Sequence, residues 1–174
     1  MSLADIKKLR EMTALGINEC KKALHDSKGD FDKALKVLKD KGAQVMAAKK
    51  DRKASQGVID AYVHFGGNLG ALIEVSCETD FVARTEVFKK FAKDMAMQVA
   101  AVNPKYLKRE DVPQEALSSI AAEEREQYLK EHCLLEQFFI KDNALTVADY
   151  LKQVVSQTGE NVSIKRFSRF SLES

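Results

Sequence analysis

Apolar residues recur at helical spacing over the first forty or so positions of the chain, and the period then changes. Leu3, Ile6 and Leu9 form a stripe running toward Met12 that ends near Thr13-Ala14. Leu15-Gly16-Ile17 reads as a tight turn, in which Gly16 takes a positive φ without steric cost. Asn18 suits the N-cap of a second helix, Glu19 to His25, which sets Cys20, Ala23 and Leu24 on one side. Gly29 closes that helix and Asp30 caps a third. The third helix carries Phe31, Ala34, Leu35, Val37 and Leu38, and its pattern fades near Lys41-Gly42. So small a bundle has little core of its own and suits a docking module. From Ala43 to Lys53 no stripe is strong, which predicts a helical or extended linker.

Period two follows. Gly57 to Phe65 alternates, with Ile59, Ala61, Val63 and Phe65 on one face. Gly66-Gly67-Asn68 supplies a hairpin turn, and Leu69 to Cys77 is the return strand. Helical spacing resumes in Val87, Phe88, Phe91, Ala92, Met95, Val99 and Val102, with Thr85 as N-cap and Asn103-Pro104 as the stop. Pro113 suits the first turn of a helix reaching Cys133. Thr146 and Asp149 resemble a capping box for a helix that ends at Gly159. Val162 to Phe170 is a closing strand able to pair with the hairpin. The expectation is an α+β protein: a three-helix domain over residues 1–42, a linker over 43–56, and a core over 57–174 with a small antiparallel sheet.

Composition narrows the class. The chain has 174 residues, 45% apolar and 31% charged, which excludes a disordered or low-complexity polymer. No apolar run approaches the roughly 20 residues that span a bilayer, so no membrane partner is expected. The start, Met-Ser-Leu-Ala-Asp, lacks the basic and apolar regions of a secretory leader. Cys20, Cys77 and Cys133 are far apart and form no CxxC pair, which predicts a reducing, cytoplasmic setting. The net charge of +2 hides an asymmetry, because residues 1–53 carry 14 Lys/Arg against 8 Asp/Glu. A basic module of this kind suits nucleic acid or an acidic protein surface. The lysines also fit the solvated faces of short helices, and no aromatics interleave with them as base-stacking partners would.

Nothing in the pattern predicts an enzyme. His25, His64 and His132 sit in separate elements, without a second ligand at metal-binding spacing. Gly66-Gly67 lies between two strands and not between a strand and a helix, so it is no phosphate loop. The cysteines lack a neighbouring base and read as small core residues. Glu123-Glu124 lies on a helix rich in both signs of charge and reads as a solvated face. No cofactor and no metal are expected. One segment stands apart: Cys77-Glu78-Thr79-Asp80-Phe81-Val82-Ala83-Arg84. Phe81 lies between a strand end and a helix cap and does not fall on the stripe of the following helix. It is either a projecting wedge or a core anchor whose turn is capped by Thr79 or Asp80.

Three segments together resemble the elongation factor Ts family, the bacterial and organellar nucleotide-exchange factors for elongation factor Tu. They are Ile6 to Thr13 with Asn18 to Leu24; Glu74 to Ala83; and Cys133 to Gln137 with Thr158 to Val162 and Arg166 to Phe170. Their order and spread cover nearly the whole chain. The resemblance implies a ubiquitin-associated-like N-terminal domain, a linker and an α+β core in the short, single-core form, some members of which pair as homodimers. It implies that Thr79, Asp80, Phe81 and Val82 insert beside the nucleotide site of elongation factor Tu and displace its magnesium ion. Arg10 matches the family's basic docking residue. Ile17 matches the first of an apolar docking pair, and Asn18 departs from the second. Phe138 stands where many members have proline, and the stretch from Pro113 to Cys133 looks shorter than usual. The implied function is guanine-nucleotide exchange in translation elongation, without direct nucleic-acid contact. An adaptor that binds RNA or ubiquitin-like partners through the basic module is the rival reading, and it leaves Thr79 to Val82 unexplained.

Overall fold

The computed structural model describes residues 2–13 and 15–172. Ala14, where the pattern places the end of the first helix, lies outside them. Helices α1 (Leu3–Thr13), α2 (Ile17–Asp26) and α3 (Phe31–Lys49) open the chain. They bury Ile6, Leu9, Leu15, Cys20, Ala23, Leu24, Ala34 and Leu38 against one another. Val37 departs from the expected stripe and is exposed. Asp30 caps α3 as expected, its carboxylate accepting from the Lys33 amide at 3.0 Å, and Gly29 has the left-handed φ of 84° that its place after α2 requires.

Two local expectations fail in this region. Gly16 is not a positive-φ turn residue: at φ −61° and ψ 149° it is the N-cap of α2. Its amide donates to the Glu19 carboxylate at 3.3 Å, and its carbonyl accepts the amides of Glu19 and Cys20. Asn18 therefore lies inside the first turn and caps nothing. The third helix does not end at Lys41-Gly42 but runs on to Lys49. Ala43, Ala47 and Ala48 favour helix, and Met46 packs against the core of the larger unit.

The sheet is antiparallel, in the order β1 (Gln56–Val63), β2 (Leu69–Cys77), β5 (Ser163–Ser171). Its inner face, from Ala71, Ile73, Val75 and Cys77 of the central strand, is covered by α5 (Glu86–Val102), and α8 (Val147–Thr158) packs against α5 and α3 in the same core. Phe88, Phe91, Met95 and Val99 of α5 are fully buried there, each such side chain contributing about 1.5–3 kcal/mol of apolar transfer energy. Thr85 and Thr146 cap these helices through their hydroxyl oxygens, and Asn103 and Gly159 end them at φ 52° and 74°.

The strand alternation exists, but its apolar row looks outward. Ile59, Val63 and Phe65 are 70%, 67% and 97% exposed, while Val58 and Tyr62 turn toward the core. Opposite Ile59, Ala61 and Val63 lie Glu74, Leu72 and Gly70 of β2, and beyond those Arg166, Ser168 and Phe170 of β5, while Phe65 falls in the turn past the end of β1.

The single helix expected from Pro113 to Cys133 is two helices, α6 (Gln114–Ser118) and α7 (Arg125–His132). At the end of α6 the Ser118 and Ser119 hydroxyls donate to the Gln114 and Ala116 carbonyls, both at 2.8 Å, bonds that compete with a continuing helical ladder. A second, two-stranded sheet, β3 (Phe138–Phe139) with β4 (Asp142–Thr146), has no counterpart in the pattern. Buried Gln98 holds it: its amide donates to the Gln137 side chain and the Phe138 carbonyl, and its oxygen accepts from Ile140 N–H at 2.9 Å.

Candidate functional site

At the end of β2 the chain enters a single turn of helix, α4 (Asp80–Ala83), whose N-cap is Thr79. The Thr79 hydroxyl oxygen accepts from the Val82 amide at 3.4 Å, and its carbonyl accepts from the Ala83 amide at 3.3 Å. Ala83 is buried and Val82 packs against the core, so one side of the turn is anchored. Phe81 lies on the other side and is 78% exposed. A benzene ring so placed has no packing role in the isolated chain, and the core-anchor reading is excluded. Asp80 pairs with Arg84 one turn on at 2.8 Å. Both are well solvated, so the pair adds little stability.

Glu160 and Asn161, within the Thr158 to Val162 segment, complete the geometry. The Glu160 carboxylate accepts from Glu78 N–H at 3.1 Å, Thr79 N–H at 3.0 Å and the Thr79 hydroxyl at 2.6 Å. Asn161 returns the contact: its amide donates to the Glu78 carboxylate at 2.6 Å. Its side chain donates to the Lys50 and Arg52 carbonyls at 3.2 and 2.8 Å. No local spacing signals these bonds, since the partners lie between 81 and 111 positions apart. Beneath the turn, Cys77 is buried. Burial, and then the nearby Glu160 carboxylate, push its thiol up to about 11. Burial raises the Cys133 thiol likewise to about 11. Both stay protonated near neutrality and act as small core residues.

The second group of expected contact residues stands apart from this turn. Arg10 is exposed in the last turn of α1, and Ile17 and Asn18 are exposed at the start of α2. Ile17, 48% exposed, is an apolar side chain left at the surface of a bundle with a small core. Among the described residues no group of His, Cys, Asp and Glu is arranged to hold a metal ion. No helix among them is long and apolar enough to cross a membrane.

The chain is an α+β protein with an N-terminal helical domain, and it leaves apolar side chains exposed at the start of α2 and on the α4 turn. The family model for elongation factor TS matches residues 6–126 and 119–174. Its two matches overlap where α6 gives way to α7. An elongation factor Ts of Carboxydothermus hydrogenoformans is 44% identical over 188 residues, covering 96% of this chain and 87% of that protein. That of Thermoanaerobacter sp. strain X514 is 45% identical over 191 residues, covering 98% and 94%. That of Thermotoga maritima is 41% identical over 191 residues, covering 99% and 96%. These alignments are longer than the chain's 174 residues, so the relatives carry segments that it lacks. The chain belongs to the elongation factor Ts family, which places it among the factors of translation elongation.

Proposed function

We propose that this protein is a guanine-nucleotide exchange factor for elongation factor Tu, acting in the cytoplasm without bond-making chemistry of its own. The observation that carries the reading is Phe81, held 78% exposed on a Thr79-capped turn in a chain of this family. In this reading Thr79, Asp80, Phe81 and Val82 enter beside the nucleotide site of the GTPase and displace its magnesium ion. That ion bridges the bound phosphates to the GTPase, so loosening its supports weakens the largest electrostatic contact in the site. Burying the Phe81 ring in the partner supplies about 2–3 kcal/mol toward separating the elements that grip the nucleotide. Coupling is reciprocal: a factor that prefers the empty GTPase lowers nucleotide affinity by the same ratio.

The N-terminal helices, with Arg10, Ile17 and Asn18, dock on the same GTPase and hold the wedge at high effective concentration. Residues 43–56 join the two working parts. The outward row of Ile59, Val63, Phe65 and Phe170 fits a second copy of this chain, in keeping with single-core relatives that pair as homodimers. The exposed Phe81 turn lies outside the basic module, which favours exchange over an adaptor that binds RNA or ubiquitin-like partners.

Release of labelled GDP from elongation factor Tu tests the reading. The expected result is acceleration that rises with factor concentration and saturates. Release at the spontaneous rate under a large excess of factor overturns it.

A further inference from the structure

We propose that Glu160 is a positioning residue for the exchange turn, acting through Phe81 and not by contact with the GTPase. The inference rests on the wedge reading of Phe81 and adds to it the part that aims the wedge. The turn α4 is four residues long, too short to hold its own direction. Its entry is fixed from outside. One carboxylate takes both backbone amides at the strand-to-helix junction, Glu78 and Thr79, and also the hydroxyl of the capping residue. Glu78 is held in return by the Asn161 amide. Two peptide segments therefore grip each other at the base of the turn, and Asn161 extends the grip to the carbonyls of Lys50 and Arg52, just past the end of α3. Glu160 reaches the base of the turn while Phe81 stands on its exposed side, so the carboxylate sets direction without needing to reach a partner. Misplacing a reacting group by about 1 Å can cost on the order of 10²-fold in rate, so a turn freed at its base releases nucleotide slowly even when the factor is bound.

The test uses the full chain with elongation factor Tu carrying labelled GDP, and amide hydrogen exchange on the factor alone. Glu160→Ala is expected to strip protection from the Glu78 and Thr79 amides while Ile73 and Val75 keep theirs. The maximal release rate falls roughly tenfold or more, and the half-saturating concentration changes by less than about twofold. Glu160→Gln keeps an oxygen for the two amides and is expected to restore most of the rate. In a Phe81→Ala background, Glu160→Ala is expected to slow release no further.

Several results overturn the proposal. One is unchanged protection at Glu78 and Thr79. Loss of protection in the sheet as well would make Glu160 a fold anchor. A Gln variant as slow as the Ala variant would mean that the charge itself acts on the partner, and an additive double variant would mean that Glu160 does not work through Phe81. If Phe81→Ala alone releases GDP as fast as wild type, the wedge reading fails, and the proposal with it.

Discussion

The side-chain amide of Gln153 donates to the carbonyl oxygen of Met12 across 2.6 Å, joining α8 to the last turn of α1. A second link lies close by in sequence, where Lys39 of α3 reaches Asp149 at 3.4 Å. The N-terminal helices are thus seated on the core and do not hang from a free tether. Gln153→Ala leaves the Met12 carbonyl without this donor and is expected to cost about 1 kcal/mol. A denaturant melt of the variant measures it, and a midpoint equal to that of wild type would show that the bond holds nothing.

Phe81→Ala separates folding from exchange. An exposed ring contributes little to the isolated chain, so the melt should stay within about 0.5 kcal/mol of wild type. GDP release at saturating factor should fall sharply. A variant destabilised by about 3 kcal/mol or more would mark a buried anchor, and a stable variant with normal release would remove Phe81 from the mechanism.

Arg10 and Ile17 are exposed on the helical module, away from the turn. Replacing both with alanine is expected to raise the concentration of factor needed for half-maximal release roughly tenfold, about 1.4 kcal/mol. The maximal rate should hold. A fall in maximal rate at unchanged half-saturation would assign these residues to the release step.

Asp94, 2% exposed, is held by Lys90 at 2.8 Å, Lys141 at 2.6 Å and the Tyr150 hydroxyl at 3.0 Å. Burial opposes its ionisation, but these three hydrogen bonds outweigh it and leave the carboxyl below its ordinary value of 3.8. A lowered folded-state value means that the stabilisation is fully present above 3.8 and is lost as pH falls through the folded-state value. Asp94→Asn should therefore cost about 2 kcal/mol near neutral pH, and the difference from wild type should shrink below pH 3.8. Melts across an acid series check it. A gap that widens on acidification would reverse the sign.

Val63 lies at the centre of the outward apolar row, paired with Gly70 on β2. A carboxylate there is tolerated by a monomer in water and not by a second copy packed on the sheet. Val63→Glu is expected to turn a dimer into a monomer in sedimentation while leaving the melt at low concentration unchanged. A wild-type chain that sediments as a monomer at high concentration would refute the pairing.

The elements that could be read from sequence are those whose signals are local. Thr85 and the α5 stripe announce one helix, Thr146 and Gly159 bracket another, and Gly66-Gly67 marks the hairpin. Alternation in β1 reveals two faces, but not that the Ile59 row is the wet one; that depends on where α5 lies. The extension of α3 rests on Met46 meeting a distant core, and the β3–β4 hairpin hangs from Gln98 some forty positions earlier. The candidate turn divides the same way. Thr79 to Val82 could be picked out, whereas Glu160, which grips the base of the turn, lies 81 positions beyond Thr79.

The central strand β2 sits between β1, made just before it, and β5, made about ninety residues later. During synthesis the hairpin and the Thr79 turn leave the ribosome first, with one edge of β2 still unpaired and no carboxylate yet at the turn's base. Non-local strand pairing is slow because loop closure must come first. A nascent chain therefore carries the Thr79 turn before the Glu160 carboxylate is there to hold it. Glu160 and β5 arrive together in the final stretch, so sheet closure and assembly of the exchange turn coincide. A ribosome stalled before residue 160 would hold a chain with one edge of β2 open and no carboxylate at the base of the Thr79 turn.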